Sequence, residues 1–103
     1  MAKYLLAYKG GGMAETPEAQ EAAMQAWMGW FGTLGAAVVD TGNPFGPSTA
    51  VASDGSAAPA TAGLTGYSLV EADTLAAAAD LAKGCPVLTA GGTVEVYEAI
   101  PIM

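Results

Sequence analysis

One pattern occurs twice in this chain and constrains what it can fold into: a short apolar run followed by a helix-start signal and an alanine-rich stretch. The first run is KYLLAYK (3–9), closed by GGG (10–12). The stretch after it, ETPEAQEAAMQAWMGWFGTLGA, begins with Thr16 as a capping residue and Pro17 at the first helical position. Glu15, Glu18 and Glu21 stand at the positive end of the helix dipole. The second run, TGYSLVEA (65–72), leads into DTLAAAADLAKG, where Asp73 is the expected N-cap, Lys83 falls in the last turn and Gly84 is the expected stop. A closing stretch, GGTVEVYEAI (91–100), alternates Val94 and Val96 against Glu95 and Tyr97, as a half-buried strand does.

Between the two units the signals are weaker. An apolar run at 36–39 is followed by a Gly-Asn-Pro turn, a second short run at 49–52, and an Asp54-Gly55 turn signal. We read these as one irregular second strand, bent or split, and read the small, polar stretch at 56–63 as an exposed loop. The order is therefore strand, helix, strand, strand, helix, strand. With short connections and right-handed crossovers, that order predicts an α+β, ferredoxin-like βαββαβ fold: a four-stranded antiparallel sheet with two helices on one face. Tyr67 and Leu69 should share one face of the third strand, Ser68 and Val70 the other, and Tyr4 and Tyr8 share a face of the first.

The predicted sheet leaves one face open, and composition bears on what covers it. The 103 residues form one domain (1–103), and only 13% of them are charged while 52% are hydrophobic; mean hydropathy is +0.38. So few charges cannot cover a whole surface, so a second copy is expected on the open face, giving a homodimer. Three basic against ten acidic residues give a net charge of -7, which argues against nucleic acid and membrane surfaces as partners. No apolar run near the N-terminus is long enough for a signal segment or a span, and one cysteine makes no internal disulfide, so a cytoplasmic protein is expected.

On the long helix, Ala19, Ala23, Ala26, Trp27, Trp30 and Leu34 share one face, with Met24, Met28 and Phe31 as a shoulder that widens the apolar arc to roughly 200°. A sheet face does not cover that much, so the shoulder is expected to pack under a loop or to meet a second subunit or a ligand.

The run GYSLVEADTLAAAADLAKGCPVLTAGGTVEVYEAI (66–100) resembles the YCII-related domain family, and so do KYLLAYKGGG with its acidic, Trp-containing helix and TGNPFGPS. The resemblance spans most of the chain and is weakest at 53–63. It implies a dimeric α+β barrel in which two ferredoxin-like sheets pack face to face. For some YCII proteins a His-Asp pair in a cleft has been proposed as catalytic. This chain has no histidine, and Met24 and Gln25 stand near the position where the His would fall. Of the Asp-Gly-Pro-Phe motif of related members only Asp54 and Gly55 remain, with Ser56 and Ala57 in place of Pro and Phe. Neither feature carries over.

Other chemistry is poorly supported. Cys85 follows a helix C-terminus, whose dipole disfavours a thiolate, and has no His as base; it is read as a structural residue next to a helix-stopping proline. AYKGGGMAETPE lacks the spacing of a phosphate loop, and its glutamates repel phosphate. No ligand set for a metal is present, and no cofactor or catalytic residue is assigned. The expected function is small-molecule binding in a cleft between the long helix, the glycine loop and the open sheet face, with Lys9, Trp27, Phe31, Glu95 and Tyr97 as candidate ligand-binding residues. The alternatives are a cofactor-independent enzyme acting on a small apolar or polyketide-like compound, as other dimeric α+β barrel proteins do, and a purely structural dimer.

Overall fold

The computed structural model describes residues 1–11 and 15–102; positions 12–14, which hold the last glycine of the GGG run, and position 103 lie outside them. Strand β1 (Ala2–Lys9) is followed by helix α1 (Pro17–Leu34), a single 3-10 turn (Gly35–Ala37) and strand β2 (Val38–Asp40). A two-stranded ribbon, β3 (Ala50–Val51) with β4 (Ala57–Ala58), comes next. Strand β5 (Leu64–Ala72), helix α2 (Leu75–Ala82), the one-turn helix α3 (Pro86–Thr89) and strand β6 (Thr93–Ala99) complete the chain.

The main sheet has the order β2-β5-β1-β6, every pair antiparallel. Taking these four as strands two, three, one and four, this is the strand order that two interleaved strand-helix-strand units generate. The registers place Tyr4, Leu6 and Tyr8 of β1 opposite Val70, Ser68 and Gly66 of β5, and opposite Glu98, Val96 and Val94 of β6. Those residues share one face because side chains alternate along a strand. Leu6, Val70 and Ser68 are fully buried there. The core cluster adds Trp30 from α1, Ala78 and Ala82 from α2, and Cys85 and Val87 around α3. The opposite face carries Leu5 between Leu69 and Tyr97, and Ala7 between Tyr67 and Glu95.

Local chemistry explains the element ends, and corrects two expectations. Thr16 caps α1 through an Ala19 N–H to Oγ1 bond of 3.1 Å, and Gly35 ends the helix at φ 56°. At α2 the cap is Thr74, not Asp73: its Oγ1 accepts from the Ala77 N–H at 3.1 Å. Thr and Asp are both good caps, and only the helix register chooses between neighbours. The helix ends at Ala82 with Lys83 still in a right-handed conformation and ion-paired to Asp80 at 2.8 Å. Gly84 is not the left-handed stop expected of it. Its lack of a side chain makes room for Trp30, whose Cδ1 would lie 3.2 Å from a Cβ at that position. Trp30 in turn donates its indole N–H to the Leu81 carbonyl at 3.1 Å, tying α1 to α2.

The second strand is split, as its sequence suggested, but more sharply. Val38–Asp40 joins the main sheet, whereas Ala50–Val51 pairs with Ala57–Ala58. The stretch expected to be all loop thus contains a strand, held across the Asp54-Gly55 turn by the Asp54 carboxylate, which accepts from the Ser56 N–H and hydroxyl.

Helix α1 departs most from expectation. Trp27, Trp30, Phe31 and Leu34 pack on the core, an i, i+3, i+4, i+7 set. Ala19, Ala23 and Ala26, placed on the same face by their spacing, are exposed, as are Met24 and Met28. Only the aromatic last turns reach the core; the alanines preceding them are too short to do so once the rings set the separation. The resulting fold is flat, 43 × 38 × 18 Å with a radius of gyration of 15.0 Å, against about 13 Å for a compact domain of 100 residues.

Candidate functional site

A cleft of about 720 Å³ opens where the glycine turn, the C-terminal half of α1, α3 and the segment after β2 converge. Trp27, Phe31 and Met24 of α1 form one wall, and Pro86 and Val87 of α3 another. Tyr8 and Ser68 lie at the floor, on the core face of the sheet.

The remaining wall is backbone. Past β2 the chain runs on beside β5 through the Tyr67 N–H to Asn43 carbonyl bond, the Phe45 N–H to Thr65 carbonyl bond and a bridge between Pro44 and Gly66. Gly42 makes this possible: at φ 74° its N–H reaches the Asp40 carboxylate at 2.8 Å, and any Cβ there would overlap the Tyr67 carbonyl. Phe45 then stacks on Tyr67, ring centroids 5.8 Å apart.

Ring contacts set the α1 wall. Trp27 meets Tyr8 edge-on at 5.1 Å and lies 5.7 Å from Trp30 and 5.9 Å from Phe31. At the floor, the Tyr8 hydroxyl donates to Ser68 Oγ at 2.7 Å, and Ser68 donates to the Thr41 carbonyl at 2.6 Å. Burial pushes the Tyr8 phenol well above its ordinary range, outweighing the Ser68 bond that favours ionisation. Tyr8 therefore stays protonated and offers no base at neutral pH.

The structure divides the five candidate residues between two places. Trp27 and Phe31 line the cleft. Lys9, Glu95 and Tyr97 lie on the other sheet face, where Lys9 stands 3.8 Å from Glu95 and the Tyr97 hydroxyl donates to Glu95 at 2.7 Å. That bond and the carboxylate charge raise the Tyr97 phenol. The cleft also recruits residues to which sequence reasoning assigned no role, chiefly Tyr8, Ser68 and the 41–44 segment. One signal did exist: a serine in the buried row Gly66, Ser68, Val70, Ala72 must have a hydrogen-bond partner.

The sequence model of the YCII-related domain matches residues 1–103, the whole chain. The chain belongs to the YCII-related domain family. No curated protein and no solved structure matches it. Met24, which stands with Gln25 near the position where the resemblance would put a histidine, lines the cleft. Among the described residues no cluster of His, Cys, Asp and Glu could hold a metal ion, and no helix is long and apolar enough to cross a membrane.

Cys85 is buried, and the fold gives its thiol two opposed influences. It stands at the N-cap position of α3, where its side chain makes no cap hydrogen bond but the nearby Val87 backbone favours the thiolate. Burial is the larger effect and pushes the thiol from 9.0 up to about 11. The folded state thus retains a proton that the unfolded chain releases, so this stabilisation is intact below pH 9.0 and is lost as pH rises toward 11. The urea midpoint should fall between pH 8 and pH 10.5, and Cys85→Ala should flatten that fall. In native buffer at pH 8 an aromatic disulfide reagent should label Cys85 only after urea is added; rapid labelling of the folded protein would contradict the assignment.

Proposed function

We propose that this YCII-related chain is a small-molecule-binding protein that works as a cytoplasmic homodimer, takes an apolar ligand into the cleft beside α1, and carries no catalytic apparatus of its own. The observation that carries the reading is the composition of the cleft. At about 720 Å³ it falls within the range of small-molecule sites, and among the described residues tyrosines are the only ionisable side chains on its wall. Trp27 and Phe31 give the ligand aromatic surface; a nucleophile paired with a base is missing from the lining. Tyr8 at the floor does not supply the base, because its proton is engaged and its phenol is held neutral.

The homodimer accounts for the other face of the sheet. In this arrangement the two helices lie on the cleft side of a ferredoxin-like protomer, and Leu5, Leu69 and Tyr97 meet the same residues of a second copy, as in a dimeric α+β barrel. Lys9 and Glu95 then act as rim residues of that interface, which leaves Trp27 and Phe31 as the ligand-binding members of the candidate set. A single buried cysteine suits a reducing compartment.

Native mass spectrometry of gently purified protein tests both parts, with a titration of 2-naphthol followed by Trp emission. The expected result is a dimer, and an emission change that Trp27→Ala abolishes. A monomeric mass would overturn the dimer, and absence of any naphthyl binding would overturn the cleft assignment.

A further inference from the structure

The hydrogen-bond order at the cleft floor determines what kind of polar group a ligand can present there. The Thr41 carbonyl only accepts, so the Ser68 hydroxyl must spend its one proton on it. Ser68 Oγ then accepts, so the Tyr8 hydroxyl must spend its own proton on Ser68. The reverse order would set the Ser68 and Thr41 oxygens against each other at 2.6 Å with no proton between them. What remains at Tyr8 is an oxygen with lone pairs and no hydrogen to give. All three residues line the cleft, and Ser68 is fully buried, so water does not reorganise the chain.

The rest of the lining limits charge. Among the described residues no Lys, Arg, Asp or Glu contributes to it, so a carboxylate or phosphate entering the cleft would lose its hydration with no counter-ion in return. The ring surfaces of Trp27, Phe31 and Tyr8 favour a planar ligand.

Resting on the binding role proposed above, we infer that the cleft selects a neutral aromatic compound bearing a hydroxyl that donates its proton to Tyr8 Oη: a phenol-class ligand, rather than an aromatic acid or ether. Trp27 and Asn43, which line the same cleft, carry N–H donors that would serve ligand oxygens of either kind, so a test has to vary the ligand's donor while keeping its oxygen.

The probes are 2-naphthol, 2-methoxynaphthalene and 2-naphthoate, titrated against the full-length protein with Trp emission as readout. Naphthol should bind roughly three- to tenfold more tightly than its methyl ether, the effect of one net hydrogen bond, and naphthoate more weakly than either. Tyr8→Phe should bring the naphthol and ether affinities together. Ser68→Ala, which frees the Tyr8 proton to point into the cleft, should narrow the gap by improving the ether. The wild-type comparison decides by itself: equal affinities for naphthol and ether, or a preference for naphthoate, overturn the donor rule while leaving the binding role standing. Failure of all three probes to bind overturns the binding role.

Discussion

Gly42→Ala should destabilise the protein more than the same change at any other described glycine, lowering Tm by at least roughly 10 °C. Two effects add. A left-handed φ of 74° costs a non-glycine residue about 1–2 kcal/mol, and the new Cβ would collide with the Tyr67 carbonyl, which belongs to the backbone of β5 and has no rotamer by which to move aside. Relief requires the 41–45 segment to lift from β5, breaking the bonds from Tyr67 to Asn43 and from Phe45 to Thr65, and withdrawing the Thr41 carbonyl from Ser68. The total is about 3–5 kcal/mol, in the range reserved for backbone strain combined with a lost buried bond. Binding of 2-naphthol should vanish with it, since that segment is a wall of the cleft. Gly29→Ala provides the contrast: it lies within α1 with nothing within 4 Å of its would-be Cβ, and should be neutral or slightly stabilising. A Gly42→Ala protein melting within 3 °C of the parent would show that the 41–44 segment is not fixed as described.

The difference between those glycines marks the limit of what the sequence discloses. The strands β1, β5 and β6 and both long helices are written locally: alternation in TVEVYEA, a Thr-Pro start for α1, an alanine run for α2. Strand order follows from their succession, because a right-handed crossover leaves few ways to pair them. The cleft is not local. Its 41–44 wall depends on Gly42 meeting a carbonyl 25 positions later, and its floor on Tyr8 meeting Ser68, 60 residues away. A turn signal at Gly42-Asn43-Pro44 was visible in the sequence, but what the turn leans on was not. Helix α3 escaped notice because four residues are too few for a periodicity, and Pro86 reads equally as a stop for the helix before it and as the first residue of the helix it begins. The candidate set divides into two cleft and three sheet residues for a related reason: alternation gives the face shared by Glu95 and Tyr97, but not the side of the sheet on which a helix leaves room.

In the proposed face-to-face homodimer, Leu5→Glu should separate the two copies while leaving each chain folded. Leu5 sits mid-strand on β1, the second strand from one edge of the sheet, between Leu69 and Tyr97, on the face away from the cleft. In an isolated protomer this face meets water, so a carboxylate there is hydrated and the far-UV spectrum should be unchanged. In a face-to-face dimer the two-fold axis brings both new carboxylates into one buried layer, next to Glu95, with Lys9 already paired to Glu95. At roughly 3 kcal/mol per buried, unpaired charge and two copies per dimer, Kd should rise by about four orders of magnitude. The flat shape, 18 Å in its shortest extent, suits such a pairing, because exposed Tyr97 and half-buried Leu69 stand on the sheet face opposite the core cluster. Sedimentation or native mass spectrometry at micromolar concentration gives the answer. A Leu5→Glu protein that stays dimeric would place the interface elsewhere, with the exposed Met24 and Met28 side of α1 the next surface to substitute.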